Sequence, residues 1–264
     1  MYDFEFVKPS SISEAVAALG GEEAQALGGG QTLLPTMKQR LAQPGVLVSL
    51  NGIAEMQGVC VNDAGHLCIG GATTHGTVVA EAAAHYPALA ELAGHIGDPA
   101  VRNRGTIGGS LANNDPSACY PAAALGSGAI IKTNAREIAA DDFFEGMFTT
   151  ALEEGEIITE VKFPIPEAAN YQKFVQPASR FALVGVYVAK FADGVRVAVT
   201  GASSDGVFRW SEAEAALSAD FSEAAVAGLA APSADGMIAD LHGSGAYRAH
   251  LVKVMTGRAV AAAG

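Results

Sequence analysis

Cationic side chains and cysteines are both scarce in this chain. Its 264 residues include 16 Lys and Arg against 28 Asp and Glu, for a formal net charge of −12. Nucleic-acid-binding surfaces concentrate Lys and Arg, so we expect no nucleic-acid partner, and any bound phosphate must be held mainly by backbone N–H groups. The three cysteines, Cys60, Cys68 and Cys119, form neither a C-x-x-C pair nor a zinc or iron–sulfur spacing. We therefore expect no metal in this chain and incidental or buried thiols in a reducing compartment.

The chain also lacks long apolar runs and the common catalytic motifs. No stretch approaches 18 uninterrupted apolar residues, and no secretory leader pattern opens the sequence, so we expect no integral membrane segment and a cytoplasmic protein. Neither H-E-x-x-H nor G-x-S-x-G is present, which leaves metalloprotease and serine-hydrolase chemistry without support. The pair Asp141-Asp142 is predicted to be a helix N-cap and a solvated face. We assign no catalytic residue, so any chemistry would belong to a cofactor.

Two glycine-rich segments stand out, L-G-G-G-Q-T-L-L-P at 27–35 and R-G-T-I-G-G-S-L-A-N-N-D at 104–115. Glycines let the backbone approach a ligand closely, and successive N–H groups can converge on a phosphate. The first segment leads into a predicted helix with an early proline, whose N-terminus would add partial positive charge. Two such loops can clamp the diphosphate of a dinucleotide, although each alone is also typical of a plain connecting turn. Neither matches the Rossmann or P-loop fingerprint, which disfavours both folds.

The pattern along the chain divides it into three parts, at residues 1–55, 56–166 and 167–264. The first part reads strand, helix, strand, with a capping box at 11–14 and a buried strand at 46–50. The boundary between the second and third parts is placed at Pro164-Ile165-Pro166, because prolines break regular structure.

The second part opens with a hairpin around the turn at 62–65. Further elements are predicted there by periodicity, namely helices at 77–84, 88–93 and 118–125 and strands at 129–133 and 157–163. The third part is predicted to be a hairpin, at 183–191 and 195–201, followed by Ala-rich helix with a frayed end at 259–264. It contains no glycine-rich ligand loop, so packing and assembly are its expected work.

Several of these segments together resemble one known family. The relevant motifs are G-G-G-Q-T in the first loop, P-A-V-R-N-R-G-T-I-G-G-S at 99–110, Asp115-Pro116, and Y-P-A-A at 120–123. It is similar to the FAD-binding medium subunit of the molybdenum hydroxylases, the aerobic carbon monoxide dehydrogenase and xanthine dehydrogenase type. The resemblance implies an α+β fold: two FAD-binding subdomains of the vanillyl-alcohol-oxidase/PCMH type, here 1–55 and 56–166, followed by a C-terminal antiparallel sheet covered by helices at 167–264.

The resemblance also implies site residues. In similar subunits the first loop wraps the FAD diphosphate and the second supports it from the other side, which corresponds here to Leu27, Gly28, Gly29, Gly30, Gln31, Thr32, Leu33 and Leu34, and to Thr106, Gly108, Gly109 and Ser110. Ile96 and Ile158 are expected near the flavin ring, with an ordinary core isoleucine as the alternative for each. Cys119 stands where many relatives have Asp, and a thiol is a weak hydrogen-bond partner, so Asp115 is a substitute if its loop permits. Either Lys173 or Gln176 takes the place of a lysine found in some relatives.

The function implied by the resemblance is electron transfer within a larger enzyme. A large subunit would oxidise the substrate at a molybdenum cofactor, a small subunit with two [2Fe–2S] clusters would relay electrons to this flavin, and the flavin would pass them to an external acceptor. A dimer of heterotrimers is the expected assembly. Two alternatives remain open, a self-sufficient flavin-dependent oxidoreductase of the same fold and a scaffold that has lost its cofactor.

Overall fold

The N-terminal residues form a three-stranded parallel sheet. The computed structural model describes residues 1–177 and 179–263. The sheet has the order β1–β3–β2, with two connecting helices, and comprises β1 Glu5–Val7, α1 Ile12–Leu19, β2 Ala24–Leu27, α2 Leu33–Lys38 and β3 Val46–Ser49. The predicted cap of α1 is confirmed, because Ser11 Oγ accepts the Glu14 N–H at 3.2 Å. The first glycine loop starts directly after β2.

A five-stranded antiparallel sheet follows, with the order β4–β5–β10–β6–β7. Its strands are β4 Val59–Val61, β5 His66–Gly70, β6 Ile130–Thr133, β7 Glu137–Ala139 and β10 Ile158–Pro164. Five helices lie between β5 and β6, namely α3 His75–Glu81, α4 Pro87–Gly94, α5 Pro99–Arg102, α6 Ile107–Asn113 and α7 Cys119–Ser127. Smaller elements are a 3₁₀ helix at Ala54–Met56, α8 Ala140–Phe143, and a two-stranded hairpin of β8 Phe144–Gly146 and β9 Thr149–Thr150.

The C-terminal residues form a four-stranded antiparallel sheet in chain order, covered by helices. Its elements are β11 Ala168–Lys173, β12 Gly185–Phe191, β13 Gly194–Ser203, β14 Gly206–Arg209, α9 Ser211–Ala219, α10 Glu223–Ala227 and α11 Gly245–Ala263. Helix α7 contacts β12, β13 and β14 on this sheet as well as β10 of the second sheet, and all nine of its residues are buried. Because α7 begins at Cys119, the packing of two sheets fixes the position of that residue.

Two local predictions are wrong. Asp141 does not cap α8, whose N-cap is Ala139; its carboxylate instead pairs with Arg196 at 2.7 Å and Arg209 at 3.2 Å, on β13 and β14. The predicted fraying is absent from the described residues up to Ala263, because the last turns of α11 pack in the core of the third sheet, with Ala259 and Val260 buried. Gly264 lies outside the described residues.

Candidate functional site

The two glycine-rich loops meet in the folded chain. A Cβ atom on Gly29 would lie 2.5 Å from the Gly105 Cα and closer still to the Arg104 carbonyl oxygen, and one on Gly28 would lie 2.8 Å from Thr106 Oγ1. Gly30 adopts φ +70°, which favours glycine. The glycines of the first loop therefore allow backbone-to-backbone contact with the second loop, which any side chain at position 29 would prevent.

A cleft of about 780 Å³ opens beside this contact, which is within the range typical of cofactor sites. It is lined by nearly all residues that the sequence predicts for the site: Leu27, Gly28, Gly29, Gly30, Gln31, Thr32, Leu33, Ile96, Thr106, Gly108, Gly109, Ser110, Asp115, Cys119, Ile158 and Lys173. Residues from all three sheets or their connections thus share one cavity, although they are far apart in sequence.

Leu34 is the predicted residue that does not line the cleft. Its side chain turns away and packs beside Leu27, Met37 and Leu47, and its atoms lie under Gly30, where a Cβ would meet them at 2.8 Å. An apolar side chain at this position is removed from water by the small core below α2. Leu34 therefore supports the loop from behind.

The first loop keeps its N–H groups unpaired. Its carbonyls are held from within the chain, since Asn51 Nδ2 donates to Gly28 O at 3.0 Å and the Leu34 N–H donates to Gly30 O at 3.2 Å. The backbone N–H groups of residues 28–33 have no hydrogen-bond acceptor among the described residues. Consecutive unpaired N–H groups form a concave site for an anion.

The second loop differs, because its N–H groups are already used. Those of Ile107 and Gly108 donate to Thr73 O and Gly71 O at 3.1 and 2.9 Å, and those of Gly109 and Ser110 donate to Oγ1 and O of Thr106. What this loop offers a ligand is hydroxyl groups and the exposed Cα of Gly109. The two loops therefore supply different chemistry, backbone N–H donors on one side and hydroxyls on the other.

Asp115 and Cys119 both line the cleft at the start of α7. Burial raises the pKa of Asp115, although the Ser117 N–H, which donates to its Oδ1 at 2.9 Å, partly opposes this. The turn between them is anchored from β13, where Thr200 Oγ1 donates to Ala118 O at 2.7 Å. A carboxylate and a thiol are therefore held within one rigid turn of the cleft wall.

Lys173 reaches the cleft from β11, whereas Gln176 does not line it. Lys173 Nζ donates to His95 O at 2.7 Å, next to Ile96. Arg102 secures the same segment from below by donating to Ile96 O at 3.1 Å and Gly97 O at 3.2 Å. Two cations thus fix the backbone that carries Ile96, and of the two residues that the sequence left open, Lys173 is the one that lies in the cleft wall.

Several cleft residues are not apparent from the sequence. His75 and the segment Ser179–Phe181 both line the cavity, and that segment belongs to the third part, for which only packing and assembly were expected. Burial, and secondarily the charge of Arg102, lowers the pKa of His75 to about 4. A lone histidine gives no periodic signal, and Ser179–Phe181 approaches the loops only through tertiary folding.

Metal sites and membrane-spanning helices are the two other features to consider in the described part of the chain. Residues 1–177 and 179–263 contain no group of three His, Cys, Asp or Glu side chains placed to hold a metal ion. In the same ranges, every helix is too short or too polar to span a bilayer.

Comparison with known proteins identifies the class of site. Residues 2–166 match the family described as the FAD binding domain in molybdopterin dehydrogenase. The chain is 34% identical to the carbon monoxide dehydrogenase medium chain of Hydrogenophaga pseudoflava and 34% identical to the nicotine 6-hydroxylase medium subunit of Paenarthrobacter nicotinovorans, in each case covering 98% of this chain and 96% of the relative. The chain therefore belongs to the FAD-binding subunits of the molybdenum hydroxylases.

Solved structures confirm the α+β fold. Quinoline 2-oxidoreductase from Pseudomonas putida 86 superimposes with a TM-score of 0.90 at 29% identity over 99% of this chain and 97% of that one. A carbon monoxide dehydrogenase structure from Hydrogenophaga pseudoflava gives 0.86 at 33% identity over the same shares. The cofactor of the family is FAD, and the unpaired N–H groups of residues 28–33 are the donor type that its diphosphate requires.

Proposed function

We propose that this chain is the FAD-binding electron-transfer subunit of a molybdenum-containing hydroxylase. It receives electrons from [2Fe–2S] clusters in a small partner subunit and passes them to an external acceptor, while a large partner subunit holds the molybdenum cofactor. The proposal rests chiefly on the array of unpaired N–H groups at residues 28–33, in a chain of this family. The relatives are named as medium chains or subunits, which supports the presence of partner subunits. We further propose that the assembly is a dimer of heterotrimers and that it lies in the cytoplasm.

The two loops would hold the diphosphate of FAD. The N–H groups of residues 28–33 donate to its oxygens from one side, and the hydroxyls of Thr106 and Ser110 donate from the other. Gly109 leaves space for it, because a Cβ there would contact only Thr106 Oγ1, at 2.9 Å. Hydrogen bonds to a charged acceptor contribute about 1.5–3 kcal/mol each, so this array accounts for binding in a chain with few cations.

The flavin ring would lie in the same cleft, against its apolar lining residues. Ile96 and Ile158 provide apolar surface there, and Lys173 holds the adjoining backbone. Bound FAD supplies the capacity to accept electrons one at a time and release them in pairs. The residues of this chain then position the cofactor and exclude water, and none of them needs to transfer a proton.

The three sheets support the division at 1–55, 56–166 and 167–264. The first two parts would form the FAD-binding subdomains, since each contributes one glycine loop. The third contributes Lys173 and Ser179–Phe181 to the cleft wall, so we propose that it closes the site in addition to its packing role.

The test is to purify the full chain alone and together with its partner subunits. We expect one noncovalent FAD per chain, released by acid precipitation, and substrate oxidation only by the assembled complex, whose mass gives the stoichiometry. Flavin retained by the acid precipitate, or a purified chain and complex without flavin absorbance, would contradict FAD binding as proposed. Substrate-dependent flavin reduction by the isolated chain, as fast as in the complex, would support the self-sufficient oxidoreductase instead.

A further inference from the structure

His75 is a cleft residue whose ring has no assigned role. It is the first residue of α3, with Thr74 as N-cap, and its own N–H donates to Gly105 O at 2.9 Å. Only 4% of its surface is exposed, yet it lines the cleft. Polar side chains buried to this extent are hydrogen-bonded in nearly all native structures.

The ring nitrogens find no such partner in the described chain. Nδ1 is completely buried and has neither donor nor acceptor within reach. Nε2 lies against Gly105, where a Cβ atom would approach it to 2.5 Å. Because an N–H at Nδ1 would be buried without an acceptor, the proton belongs on Nε2. The imidazole therefore presents a donor on the edge of the ring that lies against Gly105, which also lines the cleft.

Gly105 and Tyr120 fix this orientation. The absence of a side chain at Gly105 lets the ring stand directly against the loop that meets Gly29. The Tyr120 ring also packs near the imidazole, with its centroid 5.2 Å from that of His75, and Tyr120 is itself fully buried. The imidazole thus packs near both an aromatic ring and the point where the two glycine loops meet.

We propose that His75 is a positioning residue for the cofactor, donating a hydrogen bond from Nε2 past Gly105 to an oxygen of the ribityl–diphosphate chain of FAD. This inference rests on the proposed function. The imidazole acts as a neutral donor, because burial and the positive charge of Arg102 keep its pKa at about 4. The hydrogen bond also gives a partner to a buried ring that has none in the protein.

The test compares His75→Phe, His75→Leu and His75→Gln in the full chain, with FAD as the probe. Phe and Leu replace the imidazole with an apolar side chain that has no hydrogen-bond donor, whereas Gln retains an N–H donor. Loss of one hydrogen bond to a charged or polar oxygen weakens FAD binding by about 10- to 100-fold, measured by flavin fluorescence titration. We expect this loss in Phe and Leu, and an affinity within about threefold of wild type in Gln. His85→Phe, at an exposed position just after α3, is the matched control and should bind FAD as wild type does.

Thermal melts of the FAD-free variants separate a positioning role from a structural one. Wild-type FAD affinity in both Phe and Leu would overturn the assignment of His75 alone, and so would a loss in Gln as large as in Phe. If Phe does not fold, the comparison of Leu with Gln decides in the same way. A wild-type chain that binds no FAD would overturn both this inference and the proposed function.

Discussion

Gly29→Ala is the sharpest single test of the loop contact. The new Cβ would stand 2.5 Å from the Gly105 Cα and from the Arg104 carbonyl carbon, whereas ordinary contact begins at 3.4 Å. Both neighbours are backbone atoms, so no side-chain rotation relieves the overlap. The two loops must separate by roughly 1 Å, which is enough to lengthen hydrogen bonds beyond their useful range.

The expected consequence is a large loss of FAD affinity. Each hydrogen bond to the diphosphate contributes about 1.5–3 kcal/mol. The dissociation constant therefore rises by at least about tenfold if the separation removes one such bond, and by at least about a hundredfold if it removes two. Flavin absorbance after purification gives the occupancy, and fluorescence titration of the FAD-free chain gives the constant. Circular dichroism should show unchanged secondary structure, because the displaced segments are loops.

Gly94→Ala is the matched control for this substitution. A Cβ on Gly94 would be 3.9 Å from Val79 Cγ2, an ordinary contact, and as the last residue of α4 this position gains at most about 0.5 kcal/mol from alanine. This variant should bind FAD normally and melt at an equal or higher temperature. Wild-type affinity in Gly29→Ala would refute the close approach of the loops as the basis of the site.

Three further changes test other parts of the cleft. Gly109→Val should abolish flavin occupancy and lower the FAD-free melting temperature slightly, because its Cβ would lie 2.9 Å from Thr106 Oγ1, a side-chain atom. Gly108→Val should lower the melting temperature more, at a cost of about 1–3 kcal/mol of folding stability, because its Cβ would lie 2.6 Å from the backbone atom Gly71 O. Equal flavin occupancy in both variants and wild type would contradict this. Cys119→Asp should change FAD affinity by less than about tenfold, as titration would show, and a complete loss would argue against a tolerant turn at this position. The pKa of His75 is lowered on folding from 6.5 to about 4, so the unfolded chain binds more protons, and the stabilisation present above pH 6.5 is lost as the pH falls towards 4. At pH 5 this loss is about 2 kcal/mol relative to pH 8; denaturant unfolding of the FAD-free chain should show it in wild type but not in His75→Gln, and identical pH profiles would disprove it.

Much of the local structure was predictable because it depends on neighbouring residues. The cap of α1 at Ser11 and the hairpin turn at 62–65 follow from side-chain hydrogen bonding and turn composition within a few residues. The glycine loops were recognisable for the same reason, as runs whose backbone is free to approach a ligand. The comparisons confirm the family that these loops resemble, and membership of that family identifies the cofactor as FAD.

The chemistry of the cleft was decided by tertiary contacts. Which loop keeps its N–H groups unpaired depends on Thr73 and Gly71, distant residues that accept those of Ile107 and Gly108. The same applies to Lys173, which reaches the cleft from the third sheet, and to Asp141, which pairs with Arg196 across β13. Hydrogen bonds and burial between segments far apart in sequence leave no pattern in either segment alone. The sequence by itself therefore determined that two glycine loops and an FAD-binding fold are present, and the folded chain decided which atoms of those loops face the cleft.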